Sequence, residues 1–209
     1  MNKDFFSASS VWMELEERVK NCKECRLCET RTNTVFGQGN RDNGVVLIGE
    51  GPGEDEDLQG LAFVGKAGQL LTQILEAGKI SREDVFIMNI VKCRPPENRA
   101  PTTEEMVKCN QHLDSQLALL RPRIVICLGN TPMRWLLQTT EGITKIRGKW
   151  FDWRGAKLMP MFHPSYLLRN QSRAEGSPKH QTWLDVQALK KAIEGDIARG
   201  GVPYGVPSE

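Results

Sequence analysis

Near the start of the chain Val11, Leu15 and Val19 stand four apart among Glu and Lys, the stripe of a short amphipathic helix over residues 10–21. An uninterrupted apolar run at 44–48 reads as a buried strand, and Gly49-Glu50-Gly51-Pro52-Gly53 cannot continue it. Ala67, Leu70, Leu71, Ile74 and Leu75 then recur at helical spacing within 65–77, with Gly78 as terminator. A second strand is predicted over 85–91, running out into Lys92-Cys93-Arg94-Pro95-Pro96. Residues 102–120 read as a helix with Thr103 as its cap and Met106, Val107, Leu113, Leu117 and Leu120 as its apolar positions. A third strand at 124–128 is broken by Gly129, and 131–137 is helical. Alternation over 148–161 predicts a hairpin turning at Arg154-Gly155. Phe162 leads into His163-Pro164-Ser165 and Tyr166-Leu167-Leu168-Arg169, followed by a polar loop at 170–179. The last helix spans 183–197 with Leu184, Ala188, Leu189 and Ile193 on one side, and the tail at 199–209, rich in Gly and Pro, reads as mobile.

Strands alternating with helices predict an α/β fold. A single domain over 1–198 would carry a central, mainly parallel sheet with helices on both faces. Such folds bind ligands where a strand gives way to a loop, which draws attention to residues 49–53. The 209 residues are enough for one substantial core. Lys and Arg number 28 against 26 Asp and Glu, a net charge of +2, so partner choice rests on local patches. No apolar run approaches the roughly 18–20 residues that span a bilayer, and residues 1–21 carry too many charges for a secretory signal, which makes the cytoplasm the expected compartment. There, six cysteines are metal ligands or isolated thiols rather than three disulfides.

Cys22 and Cys25 form a C-x2-C pair, and Cys93 and Cys109 supply two further thiols, a set that suits tetrahedral zinc or a 4Fe-4S cluster. Lys23, Arg26, Lys92, Arg94 and Lys108 lie beside them and favour thiolates. Cys28 extends the first pair and could replace one ligand, whereas Cys127 lies inside an apolar strand and reads as a buried thiol.

Five ordered segments resemble the family 4 uracil-DNA glycosylases. They are Gly49 to Asp57, Phe63-Val64-Gly65-Lys66-Ala67-Gly68-Gln69, Asn89 to Pro96, His163 to Asn170, and Ser177-Pro178-Lys179-His180-Gln181-Thr182-Trp183. The resemblance implies a uracil-DNA glycosylase-like fold and a repair enzyme that flips uracil out of DNA and hydrolyses its N-glycosidic bond, leaving an abasic site. It implies a 4Fe-4S cluster on Cys22, Cys25, Cys93 and Cys109, and turnover rather than covalent capture of the base. Uracil would lie among Gly49, Glu50, Gly51, Phe63, Asn89 and His163, with Phe63 stacking on the base. The Asn89 amide can accept from the ring N–H and donate to a carbonyl, a pattern uracil offers and cytosine does not. His163 would donate to O2 as charge builds on the departing base.

The better-known relatives carry an aspartate at the position of Gly51. Its absence leaves Glu50 as the first candidate to stabilise the sugar cation, with loop main chain around Gly51 positioning water and Glu54 or Glu56 shaping the pocket against thymine. Tyr166, Leu167 and Leu168 are expected to fill the gap in DNA while Arg169 meets phosphate. Lys145, Arg147, Lys149, Arg154, Lys157, Arg94 and Arg99 are expected to meet phosphates. The partner is uracil-containing DNA, single- or double-stranded, with no membrane and a monomeric enzyme expected. The competing readings are an iron-sulfur redox or electron-transfer protein and a non-catalytic, metal-stapled nucleic-acid binder.

Overall fold

The computed structural model describes residues 8–198; the tail expected to be mobile lies outside the described residues. Six strands form one sheet: β1 (Gln38–Gly39), β2 (Val45–Gly49), β3 (Phe86–Asn89), β4 (Ile124–Leu128), β5 (Phe151–Trp153) and β6 (Ala156–Met161), in the order β1-β3-β2-β4-β6-β5. The inner four run parallel, and the short edge strands β1 and β5 are antiparallel to their neighbours. The helices are α1 (Ala8–Lys20), α2 (Glu54–Gln59), α3 (Lys66–Ala77), α4 (Thr103–Leu120), α5 (Asn130–Leu137), α6 (Ile143–Ile146), α7 (Pro164–Arg169) and α8 (Pro178–Ala198).

The continuous apolar strands are explained by burial on both faces. Val46, Ile48, Met88 and Val125 join Trp12, Leu15 and Val19 of α1 and Leu113 and Leu117 of α4 in one cluster. Their neighbours Val45, Leu47, Ile87 and Ile126 join Leu71 and Leu75 of α3 and Val186 and Leu189 of α8 in the other. The expected sheet between two helical layers is therefore present. No helix among the described residues is long and apolar enough to cross a membrane.

Several boundaries differ from expectation for identifiable reasons. The cap of α4 is Thr102, not Thr103: its hydroxyl accepts from the Glu105 N–H at 3.2 Å while the Glu105 carboxylate accepts from the Thr102 N–H at 2.8 Å. Strand β3 stops at Asn89 instead of residue 91: the Ile90 N–H makes the last ladder bond, to the Gly49 carbonyl, and the Val91 N–H donates to Glu50 past the end of β2. Helix α8 starts at Pro178, five residues early, and its register is rotated. The buried positions are Thr182, Asp185, Val186 and Leu189, whereas Leu184, expected inside, is 51% exposed. Two of those four positions are polar, which disguises the stripe; Asp185 turns inward to pair with Arg147. Helix α2 has no apolar stripe at all. It is held by its acidic first turn at the helix N-terminus, by a capping interaction from Glu56, and by buried Asp57, which accepts from the N–H groups of Thr32 and Asn33.

Candidate active site

Strand β2 is followed in the sheet by β3 on one side and β4 on the other, so the loops leaving β2 and β4 diverge and open a crevice at their carboxyl ends. Two adjoining cavities occupy this end, of about 670 Å³ and about 430 Å³. Glu50, His163, Ser165 and Arg169 line both. The larger is completed by the 51–56 segment, Phe63 and Asn89, the smaller by Gly129, Asn130, Thr131, Phe162 and Tyr166.

Phe63, Asn89 and His163, the outer two 100 positions apart in the chain, meet here. Phe63 adopts a left-handed φ of 53° and is 6% exposed. Its ring lies 5.7 Å from the imidazole of His163. Gly49 makes the approach from the other side possible: a Cβ there would stand 2.4 Å from Asn89 Oδ1 and 2.5 Å from Phe63 Cζ. Asn89 is 1% exposed, and its Oδ1 is buried with no hydrogen-bond partner among the described residues. A buried carbonyl oxygen without a donor is costly in a folded chain, about 1–3 kcal/mol, and is retained where a ligand supplies the donor. Gly49→Ala is expected to force the ring and the amide apart and abolish activity on the substrate proposed below; a turnover assay on the folded variant checks this.

His163 precedes α7. Its Nδ1 accepts from the Ser165 N–H at 3.1 Å and lies 2.8 Å from Ser165 Oγ. With Nδ1 an acceptor, the neutral ring carries its proton on Nε2. Burial, with a smaller contribution from Arg169, pushes its pKa down to about 4, so the ring is neutral at physiological pH.

Around this centre the carboxylates divide their work. Glu50 accepts a hydrogen bond from Thr131 Oγ1 and borders both cavities. A Cβ on Gly51 would come within 2.9 Å of the buried Val91 side chain, which gives a local reason for the missing aspartate. Glu56, expected to shape the pocket against thymine, accepts from the N–H groups of Gly53, Val64 and Gly65 at 2.8–3.0 Å and ties the two loops together. Glu54 is exposed on the rim, paired with Arg94.

The thiols gather elsewhere, between the end of α1, the 92–93 turn and α4. Cys22, Cys25, Cys28, Cys93 and Cys109 line one pocket with Arg31, Lys92 and His112, and none is in a disulfide. Two donors reach sulfur, Arg31 Nη1 to Cys93 at 3.0 Å and the Lys92 main-chain N–H to Cys109 at 3.3 Å, and His112 Nε2 lies 3.2 Å from the Cys22 sulfur. Burial pushes the Cys93 thiol up to about 12 against the opposing pull of Arg31, and raises Cys25 and Cys109 as well. The sulfurs line the pocket wall: among the described residues no three His, Cys, Asp or Glu side chains gather tightly enough for one ion. Cys127 is buried in the sheet, outside this pocket. Arg31 and His112 were not foreseen; His112 follows Cys109 by three residues on one helix, the spacing that could have exposed it.

The expected DNA-facing residues are corrected in part. Leu167 is 1% exposed and packs in the core, which removes it as a wedge, while Leu168 is 36% exposed and Tyr166 stacks on Phe162 at 5.1 Å. Arg147 is engaged with buried Asp185, its Nε donating at 2.8 Å. Arg154 and Lys157 sit at the wrong end of the sheet. Lys157 pairs in register with Ile124 at the start of β4, whereas the cavities open beyond Leu128. Arg169 borders both cavities.

Residues 36–187 match the uracil DNA glycosylase superfamily. Within it, the type-4 uracil-DNA glycosylase of Thermotoga maritima is 50% identical over 160 residues, covering 76% of this chain and 83% of its own. Those of Saccharolobus solfataricus (42% over 165 residues; 75% of this chain, 76% of its own) and Archaeoglobus fulgidus (40% over 171; 78% and 86%) are similar to it as well. The chain belongs to the type-4 family of uracil-DNA glycosylases.

Proposed function

We propose that the protein excises uracil from DNA by hydrolysing the bond between N1 of the base and C1′ of the deoxyribose. The observation that carries this reading is the buried, unpartnered Asn89 Oδ1 packed beside Gly49, on a residue that borders the larger cavity together with Phe63 and His163. An extruded uracil stacks on Phe63, gives its N3–H to Oδ1 and receives the amide N–H at O4; cytosine has no proton at N3 and an amino group at position 4. His163 Nε2–H then meets O2. As the C1′–N1 electron pair moves onto the base, charge spreads to O2, and a neutral fixed donor stabilises it without any proton being taken up. Glu50 faces the cationic sugar from the boundary of the two cavities, and water adds to C1′ as its proton passes to the carboxylate or to solvent. Around this site Gly51 leaves space beside main-chain groups, Glu56 fixes the loop geometry, and Tyr166, Leu168 and Arg169 meet the DNA.

Cys22, Cys25, Cys93 and Cys109 fit a 4Fe-4S cluster. They are four thiols, none in a disulfide, around one pocket wall, with N–H donors already aimed at the sulfurs of Cys93 and Cys109. Held by these residues, the cluster would cross-link the segment after α1, the turn after β3 and α4. Only three residues separate Asn89 from Cys93, so that cross-link would also anchor the base-reading amide. Cys93→Ala is expected to lose iron and visible absorption. A loss of about 4 kcal/mol, typical when a structural metal goes, would lower the melting temperature by roughly 8–16 °C.

The test is incubation with an oligonucleotide carrying one uracil, followed by alkali: strand breakage at that position is expected, and none with thymine there. An electron-transfer protein or a metal-stapled binder would leave both strands intact.

A further inference from the structure

We infer that Thr131 is a positioning residue for Glu50, an inference that rests on the reading of Glu50 as the carboxylate facing the sugar. The two side chains come from the segments that leave the two strands diverging at the crevice, Glu50 directly after β2 and Thr131 at the start of α5 after β4. Thr131 Oγ1 donates to Glu50 Oε2, and both residues border the smaller cavity. The start of α5 that carries Thr131 is itself held in place, because Asn130 Oδ1 accepts from the Ile143 N–H at 2.9 Å. A flexible glutamate at the meeting of two cavities has several rotamers open to it. A hydroxyl bound to one oxygen selects one of them and leaves Oε1 for the reacting sugar and its water.

A threonine that only stabilises the start of a helix would show a different mutational pattern. Single-turnover uracil release is measured for the wild type, Thr131→Val, Thr131→Ser, Glu50→Gln and the double variant Glu50→Gln with Thr131→Val. Thr131→Val is expected to slow release at saturating DNA by about tenfold, the lower end for a lost hydrogen bond to a charged group, with KM for DNA unchanged. Thr131→Ser keeps the donor and the wild-type rate. With Glu50→Gln in place, adding Thr131→Val changes the rate no further, since the pair acts as one unit. A Thr131→Val enzyme at the wild-type rate beside a slow Glu50→Gln enzyme overturns the inference, as does an undiminished tenfold loss in the Glu50→Gln background. Glu50→Gln at the wild-type rate overturns the reading of Glu50 itself, and the inference with it.

Discussion

Asn89→Ala is expected to reduce uracil release by roughly 10²–10³-fold, the loss seen when one fixed hydrogen-bonding group is removed from a reacting centre. The same variant should unfold at the same temperature as the parent or slightly above it. These two outcomes belong together. Asn89 Oδ1 makes no hydrogen bond to any described residue, so its removal deprives the folded protein of no such bond and relieves one buried, unpaired acceptor. An active site commonly holds a residue whose chemistry is unfavourable for the fold and is compensated only when substrate arrives. Thermal unfolding measured beside single-turnover rates checks both halves. A variant that lost activity and stability in parallel would make Asn89 a structural residue.

His163→Leu should cost a similar factor, about 10²–10³, for the missing donor at O2. The pH behaviour separates a neutral donor from an acid. The folded-state pKa of His163 is about 4, well below the ordinary value, with burial as the main cause. Release by the wild-type enzyme should therefore show no increase on acidification through pH 6.5, where an imidazolium would begin to form on an ordinary histidine. For stability the sign follows from proton counting. Below its ordinary pKa the unfolded chain binds a proton that the folded site refuses, so this contribution destabilises the fold as pH falls from about 6.5 towards 4 and vanishes above. In His163→Leu that part of the acid destabilisation should disappear, which denaturant titrations at pH 5 and pH 7.5 can measure.

The strands were legible because burial on both faces demands near-continuous apolar runs, whereas of the cysteines only the Cys22–Cys25 spacing is local, and Cys93 and Cys109 were reached through the family motifs. What was not legible came from contacts distant in sequence. The phase of α8 is set by Asp185 meeting Arg147, thirty-eight residues away, so a stripe read from apolar residues alone placed Leu184 inside. The inward turn of Leu167 is invisible in a run whose neighbours Tyr166 and Leu168 are nearly as apolar. The basic residues of the β5–β6 hairpin looked available for phosphate, but sheet direction carries Arg154 and Lys157 away from the crevice. In the site, the family motifs located Phe63, Asn89 and His163. That Gly49 is the residue allowing two of them to converge, and that Glu56 binds main chain, emerges only from the packed loops.

The most direct measurement compares three oligonucleotides identical except at one position, which carries uracil, 3-methyluracil or cytosine. If Asn89 Oδ1 accepts the N3 proton of an extruded base, uracil is released while the other two react slower by at least about 10³-fold, as expected of a site whose buried polar group is left unpaired or blocked. Release of 3-methyluracil at the rate of uracil would contradict the account.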